Sequence, residues 1–519
     1  MAAPSEKLAE SLEILKALQD GGLTAIRATD LSRTHRERLL ENGFIQEVMK
    51  GWYVQANPKE QPGSSTAWYA SFWGFCADYL NARFGNDWTL SPEQSLLIHS
   101  GRWTVPNQLL VRSPNGKNNT TNLPHGTSVF DLKLQVPPKE ERDTKEGLGL
   151  YALPASLVEI PEAFFKSNAT DVRTALLLVK DASDVLGKLL EGSHTVIAGR
   201  LAGAFRNVGM DRVADDIMKT MQSAGYDVRE SDPFDNKVTA TFTGRETSPY
   251  VHRIKVMWHD MREAIIALFP PAPGFPAKNE QAAFLKKIQD VYVTDAYHSL
   301  SIEGYRVTPE LIETVRLGAW NPEENQQDRE HRNALAARGY WLSYQAVLKS
   351  IERILNEENP GTVADEDHGA WYRELFAPSV TVGLLKARDL AGYRNGPVYI
   401  KNSMHVPLNR DAVRDAMPAL FDLLKEEPHA GVRAVLGHFI YVYIHPYSDG
   451  NGRTGRFLMN AMLASGGYPW TVVPVTARQD YMTALEQASV TGNMVPFAEL
   501  LAGMVSEGLE GKPLPAIPA

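Results

Sequence analysis

Apolar side chains recur at helical spacing in residues 5–19, which predicts an amphipathic helix. The apolar positions are Leu8, Leu12, Ile14, Leu15 and Leu18. Gly21 and Gly22 follow. They predict the end of this helix, because glycine readily adopts the backbone conformations that stop one.

The next segment predicts a second helix and a hairpin. Thr29 or Asp30 can cap the helix, which runs to about Asn42. Two short strands follow around the turn Lys50–Gly51, in FIQEVMKGWYV. Helix, turn, helix and hairpin form the layout of a winged helix, which is therefore predicted for residues 1–57.

Residues 66–230 mix helical and strand patterns and are predicted to form a mixed α/β domain. WYASFWGFCADYLNARFG predicts a helix, HGTSVFDLKLQV a strand, and PASLVEIPEAFFKSN and DVRTALLLVKDASDVLGKLLEG further helices. PKEQPGSS, in front of this domain, has the composition of a linker. The stretch 229–248 is polar, and its alternating residues Val238, Ala240 and Phe242 predict a short strand or a second linker.

The pattern changes to long helices from about residue 249. A mostly α-helical domain is predicted for 249–510, with an interruption near 396–407. There, AGYRNGPVYIKNSMHVPLNRD alternates as a strand, turns at Lys401–Ser403 and returns, which predicts a β-hairpin. The whole chain is thus expected to be multidomain.

Composition limits the number of domains, the binding partners and the cellular location that can be expected. The 519 residues are too many for one hydrophobic core, which agrees with several domains. A net charge of -9 argues against binding nucleic acid or an anionic membrane through bulk charge. The single cysteine, Cys76, excludes an intramolecular disulfide and fits a cytoplasmic location. The N-terminus lacks the pattern of a signal peptide, and LGHFIYVYI is too short to span a bilayer, so no membrane partner is expected.

HPYSDGNGRTGR at 445–456 combines residue types that bind and activate phosphate compounds. An apolar run precedes it and helical spacing follows, so we expect a helix–loop–helix with Gly450 and Gly452 near the N-terminus of the second helix. Free backbone N–H groups and the helix dipole favour an anion there. Arg453 and Arg456 share a face of that helix and can bind phosphate oxygens.

Two further side chains complete this predicted site. Asp449 supplies a hard oxygen suited to Mg²⁺. His445 can accept a proton from an attacking hydroxyl. The residues alone therefore predict a site for an Mg²⁺-bound polyphosphate beside a general base.

The same segment resembles the signature of the Fic family, His-Pro-Phe-x-(Asp/Glu)-Gly-Asn-Gly-Arg-x-x-Arg, and departs from it only at Tyr447. The resemblance extends through roughly residues 250–510. It implies a protein adenylyltransferase that moves AMP from ATP, with Mg²⁺, to a Ser, Thr or Tyr hydroxyl of a target protein. The implied roles are His445 as base, Asp449 as metal ligand, Gly450, Asn451 and Gly452 as anion cradle, and Arg453 and Arg456 as triphosphate ligands.

SLSIEG at 299–304 resembles the family's inhibitory pattern, (Ser/Thr)-x-x-x-Glu-(Gly/Asn). Ser299 and Glu303 lie one helical turn apart. The resemblance implies that Glu303 pairs with Arg456 and keeps that arginine from the γ-phosphate. The implied enzyme is therefore autoinhibited.

Two other segments resemble functional parts of the family. The predicted hairpin, with Val398, Tyr399 and Ile400, resembles the flap that holds a target segment beside the site. TARQDYMTALEQAS resembles the wall of the nucleoside pocket, where Tyr481 is expected to stack on the base. Met482 stands where a second tyrosine is frequent in that wall, and Ser489 stands where an asparagine is frequent, so transfer of UMP or GMP stays open.

The N-terminal segment resembles the winged-helix part of abortive-infection-type antitoxin regulators. The matching residues are Leu31, Leu40, Gly43-Phe44-Ile45 and Gly51-Trp52-Tyr53. The resemblance implies that residues 1–57 bind DNA. The second predicted helix is expected to expose Arg33, Thr34, Arg36 and Arg38 towards a major groove. Residues 1–57 contain 7 Lys and Arg against 8 Asp and Glu, which is weak charge for neutralising phosphates, so a protein partner stays open.

Two alternative functions follow. One is a DNA-binding, antitoxin-like regulator whose Fic domain senses nucleotide. The other is removal of AMP from a target, since Glu303 could orient a water molecule. A homodimer is also open, because relatives often pair through the Fic core.

Overall fold

The structure is a computed structural model that describes residues 4–58, 64–236, 248–318 and 332–518. The chain divides into two compact units. The first consists of Met1–Arg253 and Tyr399–Val406, and the second consists of Ile254–Val398 and Pro407–Ala519. Both units are rich in helices, and all strands of the described residues lie in the first.

The N-terminal part of the first unit contains two helices and a three-stranded antiparallel sheet. The helices are Pro4–Asp20 and Arg33–Glu41, and the strands are Ile26–Arg27, Ile45–Met49 and Trp52–Gln55. The third strand lies between the other two. Leu15, Leu39 and Ile45 are buried in the small core beneath them. The helix, helix and hairpin elements therefore occur where the sequence predicts them.

The cap of the second helix was predicted wrongly. Ser32 precedes this helix, and its hydroxyl accepts a hydrogen bond from the backbone N–H of His35 at 3.3 Å. Asp30 instead accepts from the backbone N–H of Arg27 at 2.8 Å and from its guanidinium at 3.1 Å. The carboxylate of Asp30 thus closes the preceding turn and is not available to cap the helix.

The middle part of the first unit mixes helices and strands, as predicted. Its strands are Thr89–Leu90, Gln108–Ser113, Asn119–Asn122, Ser128–Lys133, Arg142–Lys145 and Leu148–Tyr151. Its helices are Thr66–Phe84, Pro92–His99, Leu153–Glu159, Glu162–Ser167, Ala169–Leu177, Ser183–Glu191, Thr195–Asn207 and Asp211–Ser223. Cys76 is fully buried, and burial raises the pKa of its thiol. The strand predicted at Val238, Ala240 and Phe242 and most of the first predicted linker lie outside the described residues.

The second unit is helical. Its α-helices among the described residues are Gln281–Ile302, Pro309–Arg316, Arg332–Leu355, Pro360–Thr381, Arg410–Glu426, Ala430–Ile444, Asn451–Ala464, Arg478–Thr491 and Val495–Leu509, together with most of Pro249–Leu268. Tyr344 and Phe457 pack together inside it. The predicted helix–loop–helix around His445 is present.

The predicted β-hairpin is wrong, since the described residues 391–409 contain no strand. A turn is present, in which the backbone N–H of Ser403 donates to Ile400 at 3.2 Å. The carbonyls of Gly396 and Leu408 lie before and after this turn. Both accept hydrogen bonds from the guanidinium of Arg394, and they do not form the cross-strand bonds of a hairpin. Pro397 and Pro407 also lack the N–H that a ladder needs.

Candidate functional site

The residues between two helices form a tight loop, here called the motif loop, 445–450. The helix Ala430–Ile444 ends at His445, whose backbone is left-handed with φ 55° and ψ 62°. Gly450, with φ 80°, precedes the next helix, Asn451–Ala464, here called the motif helix. A glycine suits that backbone conformation, since it has no Cβ to strain.

The imidazole of His445 is oriented by its own helix. Its Nδ1 lies 3.0 Å from the carbonyl oxygen of Val442, so Nδ1 carries the proton and Nε2 keeps the lone pair. Burial lowers the pKa of His445, and the charge of Arg394 lowers it further, against opposing effects of Glu303 and Asp449. A neutral imidazole with a free Nε2 has the properties of a general base near pH 7.

Asn451 closes the motif loop. Its Oδ1 accepts from the backbone N–H of Tyr447 at 2.9 Å, and its Nδ2 donates to the Tyr447 carbonyl at 2.8 Å. The Tyr447 ring is buried and stacks on Tyr372 at 3.7 Å, so the tyrosine in place of the usual phenylalanine packs inward. The Asn451 side chain therefore braces the loop, and the predicted anion cradle depends on the backbone of Gly450 and Gly452.

The carboxylate of Glu303 lies against the first turn of the motif helix. A Cβ on Gly452 would be 2.4 Å from Glu303 Oε1 and 3.2 Å from Arg456 Nη1. Only a residue without a side chain lets the carboxylate approach so closely. Glu303 thus occupies the position, at a helix N-terminus, that favours an anion.

Arg456 joins the two segments through what we call the clasp, which consists of Ser299, Glu303 and Arg456. Arg456 Nη2 lies 2.7 Å from Glu303 Oε1, and its Nε donates to Ser299 Oγ at 2.9 Å. Burial alone would raise the pKa of Glu303, but Arg456, and after it Arg453, hold that pKa below its ordinary value. The predicted pairing of Glu303 with Arg456 is present in the structure.

Arg453 is held by aromatic rings. Its guanidinium lies 5.2 Å from the ring centroids of both Tyr305 and Phe376, and 3.4 Å from Asp449 Oδ1. Its Nε and Arg456 Nη1 are buried and have no hydrogen-bond acceptor among the described residues. Two such donors beside Gly452 suit the oxygens of a phosphate chain.

Asp449 is largely exposed, with 62% of its side chain accessible. Its Oδ1 accepts from the N–H of Gly450 at 2.6 Å, and the rest of the carboxylate faces outward. The part of the chain that the structure describes has no cluster of three His, Cys, Asp or Glu side chains that could hold a metal. A single carboxylate fits Mg²⁺ that arrives with phosphate oxygens as its other ligands.

The structure does not establish the roles predicted for Tyr481 and for Val398, Tyr399 and Ile400. Tyr481 is 1% exposed, and its hydroxyl lies 2.6 Å from His438 Nε2, so stacking on a base stays a prediction. Val398 belongs to the second unit, whereas Tyr399 and Ile400 belong to the first. Tyr399 is exposed and Ile400 is partly exposed. Their role as a flap also stays a prediction.

Sequence reasoning missed several side chains that shape the site. Tyr305 and Phe376 pack on Arg453, and Arg394 binds the carbonyl of His445. Tyr305 follows directly on SLSIEG, which was a usable signal. Phe376 lies in the helix Pro360–Thr381, and nothing in the local pattern connects it with the motif.

Part of this chain matches a known protein family. Residues 342–463 match the model of the Fic/DOC family. The chain contains a Fic domain. A protein adenylyltransferase Fic from Nematostella vectensis is 29% identical to this chain over 236 residues, which cover 45% of this chain and 49% of that protein. A protein adenylyltransferase fic-1 from Caenorhabditis briggsae is 23% identical over 423 residues, which cover 76% of this chain and 77% of that protein.

A solved structure of Fic-1 from C. elegans has a TM-score of 0.36 and 14% identity, and covers 69% of this chain and 90% of that chain. This chain spans about half the length of the relatives from Nematostella vectensis, Caenorhabditis elegans and Drosophila willistoni. It is homologous to these adenylyltransferases through its Fic domain. None of the helices among the described residues has both the length and the apolar character needed to cross a membrane.

Proposed function

We propose that this chain is a protein adenylyltransferase that transfers AMP from ATP to a Ser, Thr or Tyr hydroxyl of a target protein. The observation that carries the proposal is the Fic motif geometry. A neutral His445, an exposed Asp449 and two buried arginines with unused donors surround one helix N-terminus. The adenylyltransferase names of the homologous proteins support the same reaction.

Each residue of the motif has a separate role in the proposed reaction. His445 Nε2 takes the proton of the acceptor hydroxyl, whose oxygen then bonds to the α-phosphorus while pyrophosphate leaves. Arg453 and Arg456 bind the departing phosphates, and the backbone N–H groups of Gly450–Gly452 face their oxygens. Asp449 would hold Mg²⁺, which neutralises charge on the phosphates when bound.

Glu303 inhibits this reaction in the proposal. Its carboxylate lies 2.7 Å from Arg456, so the arginine cannot bind the γ-phosphate at the same time. ATP bound without that contact would have its α-phosphate out of line with the acceptor hydroxyl. Glu303 could also orient a water molecule for removal of AMP, which we keep as a secondary activity.

Incorporation of labelled AMP into the purified protein tests the proposal. We expect Glu303→Gly to raise automodification and the added change His445→Ala to abolish it. Glu303→Gln removes the charge with little change in shape and serves as a matched control, expected to lie between native and Glu303→Gly. No label in Glu303→Gly with Mg²⁺ and ATP would contradict the adenylyltransferase proposal.

For the N-terminal half we propose a winged helix in residues 1–57, a mixed α/β domain in 66–230 and a Fic domain in 249–510. The two helices and antiparallel hairpin of the first segment support the winged helix. DNA binding is less well supported. Arg36 donates to Ala28 at 2.8 Å and Arg38 to Lys7 at 2.5 Å, so two of the three expected groove arginines bind the module's own backbone.

The proposal also includes binding partners and a cellular location. The partner is a target protein whose identity the chain does not specify, with a homodimer as a further expectation. A cytoplasmic location fits the single buried cysteine. A mobility shift with the upstream region of its own gene tests DNA binding by residues 1–57.

A further inference from the structure

The guanidinium of Arg394 is buried beside the motif loop and donates to several backbone carbonyls. Its Nε donates to the carbonyl of His445 at 2.7 Å, and its Nη1 donates to Gly396 at 3.0 Å. Its Nη2 donates to Leu408 and, at 3.4 Å, to Ile444. Its side chain therefore ties the end of one helix to both ends of the non-helical segment.

These bonds act on a backbone that needs support. His445 has φ 55° and ψ 62°, a conformation that a non-glycine residue keeps only where its surroundings impose it. The backbone N–H of Arg394 also donates to the carbonyl of Pro446 at 3.0 Å. Arg394 thus holds the carbonyls of two consecutive residues, His445 and Pro446, where the backbone directs the imidazole.

The same guanidinium satisfies the end of the helix Ala430–Ile444. The last carbonyls of a helix lack intrahelical partners, and a cation there interacts favourably with the helix dipole. Lysine would keep the charge but not the planar fork that serves several carbonyls at once. The geometry therefore depends on arginine specifically.

We infer that Arg394 is a positioning residue for His445, the proposed general base. It fixes the backbone of His445 and with it the direction of the imidazole, and it fixes Gly396 and Leu408 on either side of the predicted acceptor-binding segment. This inference rests on the proposed adenylyl transfer. Arg394 touches neither nucleotide nor acceptor in it.

The charge of Arg394 adds a second, separable effect. The charged groups that act on His445 are Arg394, Glu303 and Asp449, and Arg394 alone among them lowers the pKa of the imidazole. Replacement by an uncharged residue should therefore raise the pKa of His445, whereas lysine should not.

The test uses the full chain carrying Glu303→Gly, with Arg394→Lys and Arg394→Met added separately. The readouts are kcat and KM for ATP in labelled-AMP incorporation, the Kd for Mg²⁺-ATP by calorimetry, and the pH profile of kcat. We expect Arg394→Lys to lower kcat by about ten- to a hundredfold, because a small misplacement of a catalytic group has an effect of that order. KM and Kd should stay within about twofold, since binding is left intact.

Arg388→Met is the matched control, because Arg388 lies in the same part of the chain with its side chain 77% exposed. It should leave kcat unchanged. Arg394→Met should lower kcat at least as far as lysine and shift the rising limb of the profile to higher pH. If this variant does not fold, Arg394→Lys decides the question alone.

The possible results separate the two proposals. Equal kcat in Arg394→Lys and Arg388→Met would overturn the positioning role and leave adenylyl transfer intact. A parallel loss of kcat and Mg²⁺-ATP affinity would overturn it too, because Arg394 would then be a general structural residue. A Glu303→Gly parent without any label would contradict the proposed function and this inference with it.

Discussion

The motif loop, 445–450, and the segment 391–409 are both non-helical, but they are held in different ways. The motif loop is closed by a residue four positions along, because both polar ends of the Asn451 amide bind the backbone of Tyr447. The segment 391–409 is held partly by its own Arg394 and partly by residues that are distant in sequence. In the first unit, the backbone N–H of Val105 donates to the carbonyl of Met404 at 2.9 Å.

The difference teaches what a short sequence motif can specify. Asn451, which closes the motif loop, belongs to the same motif, and Arg394 adds bonds to the loop from outside it. HPYSDGNGRTGR therefore predicted a loop and a helix N-terminus correctly. A segment whose alternation suggests a strand needs a partner for its backbone. In 391–409 some backbone groups bind Arg394 within the segment and others bind Val105 and Thr66, which are distant in sequence, and the hairpin does not form.

The largest effect should come from opening the motif loop. In the Glu303→Gly background, Asn451→Ala removes two buried hydrogen bonds and leaves the Tyr447 N–H and carbonyl without partners. Loss of buried partners destabilises by about 1–3 kcal/mol each. We expect labelled-AMP incorporation to fall at least about a hundredfold, since the imidazole and the cradle both depend on this loop.

Asn356→Ala is the control for that change, because Asn356 is exposed just after the helix Arg332–Leu355. Its labelling should equal that of the parent. Labelling retained in Asn451→Ala would show that the loop keeps its geometry without its own closure, which would remove the contrast drawn between the two segments.

A smaller effect is expected from the clasp. Ser299→Ala removes the acceptor for Arg456 Nε but leaves the Ser299 carbonyl, 3.1 Å from Nη2, and Glu303. One hydrogen bond to a charged group is worth about 1.5–3 kcal/mol. We expect automodification to rise by about tenfold in an otherwise native chain, and by less than in Glu303→Gly. Ser301→Ala, on the same helix, should have no effect, and an equal rise there would contradict the assignment.

The hydrogen bonds between the segment 391–409 and the helix Thr66–Phe84 should depend on the side-chain amide of Asn402. Asn402, with φ 57°, accepts from the backbone N–H of Ser65 at 3.3 Å, and its own N–H donates to Thr66 Oγ1 at 3.2 Å. It thus caps the helix Thr66–Phe84, whose own Ser65 makes no side-chain cap. We expect Asn402→Gly, which keeps the left-handed backbone, to lose about 1 kcal/mol through the missing cap.

Hydrogen exchange at the Ser65 amide measures that loss. Asn402→Asp is the matched control, because it keeps an acceptor and tolerates φ above zero. Faster exchange in Asn402→Gly but not in Asn402→Asp would support the cap. Equal exchange in all three proteins would show that the segment is held by packing of Met404 and Val406 instead.

Local spacing in the sequence predicted most helices, and the resemblance to the family's patterns predicted the members of the clasp. Ser299 and Glu303 lie one turn apart, and their partner Arg456 belongs to a recognisable motif. The roles of Arg394 and Phe376 could not be predicted, since each acts through residues that only the fold brings near. The base contact expected of Tyr481 stays a prediction, and the structure adds that its hydroxyl lies 2.6 Å from Nε2 of the buried His438.

The smallest effect is expected from a change of pH. This experiment distinguishes titration of Glu303 in the clasp from titration of His445, the proposed base. The pKa of Glu303 lies below its ordinary value of 4.5, so the clasp is intact above that value and is lost only as pH falls through the lowered pKa. The pKa of His445 lies below 6.5, so the imidazole is already neutral at pH 7. The ratio of labelling by Glu303→Gly to native protein should therefore change by less than about twofold between pH 6.5 and 9. A ratio that falls steeply towards pH 6.5, through rising native activity, would mean that Glu303 takes up a proton in this range. The ion pair with Arg456 would then be too weak to hold the clasp closed.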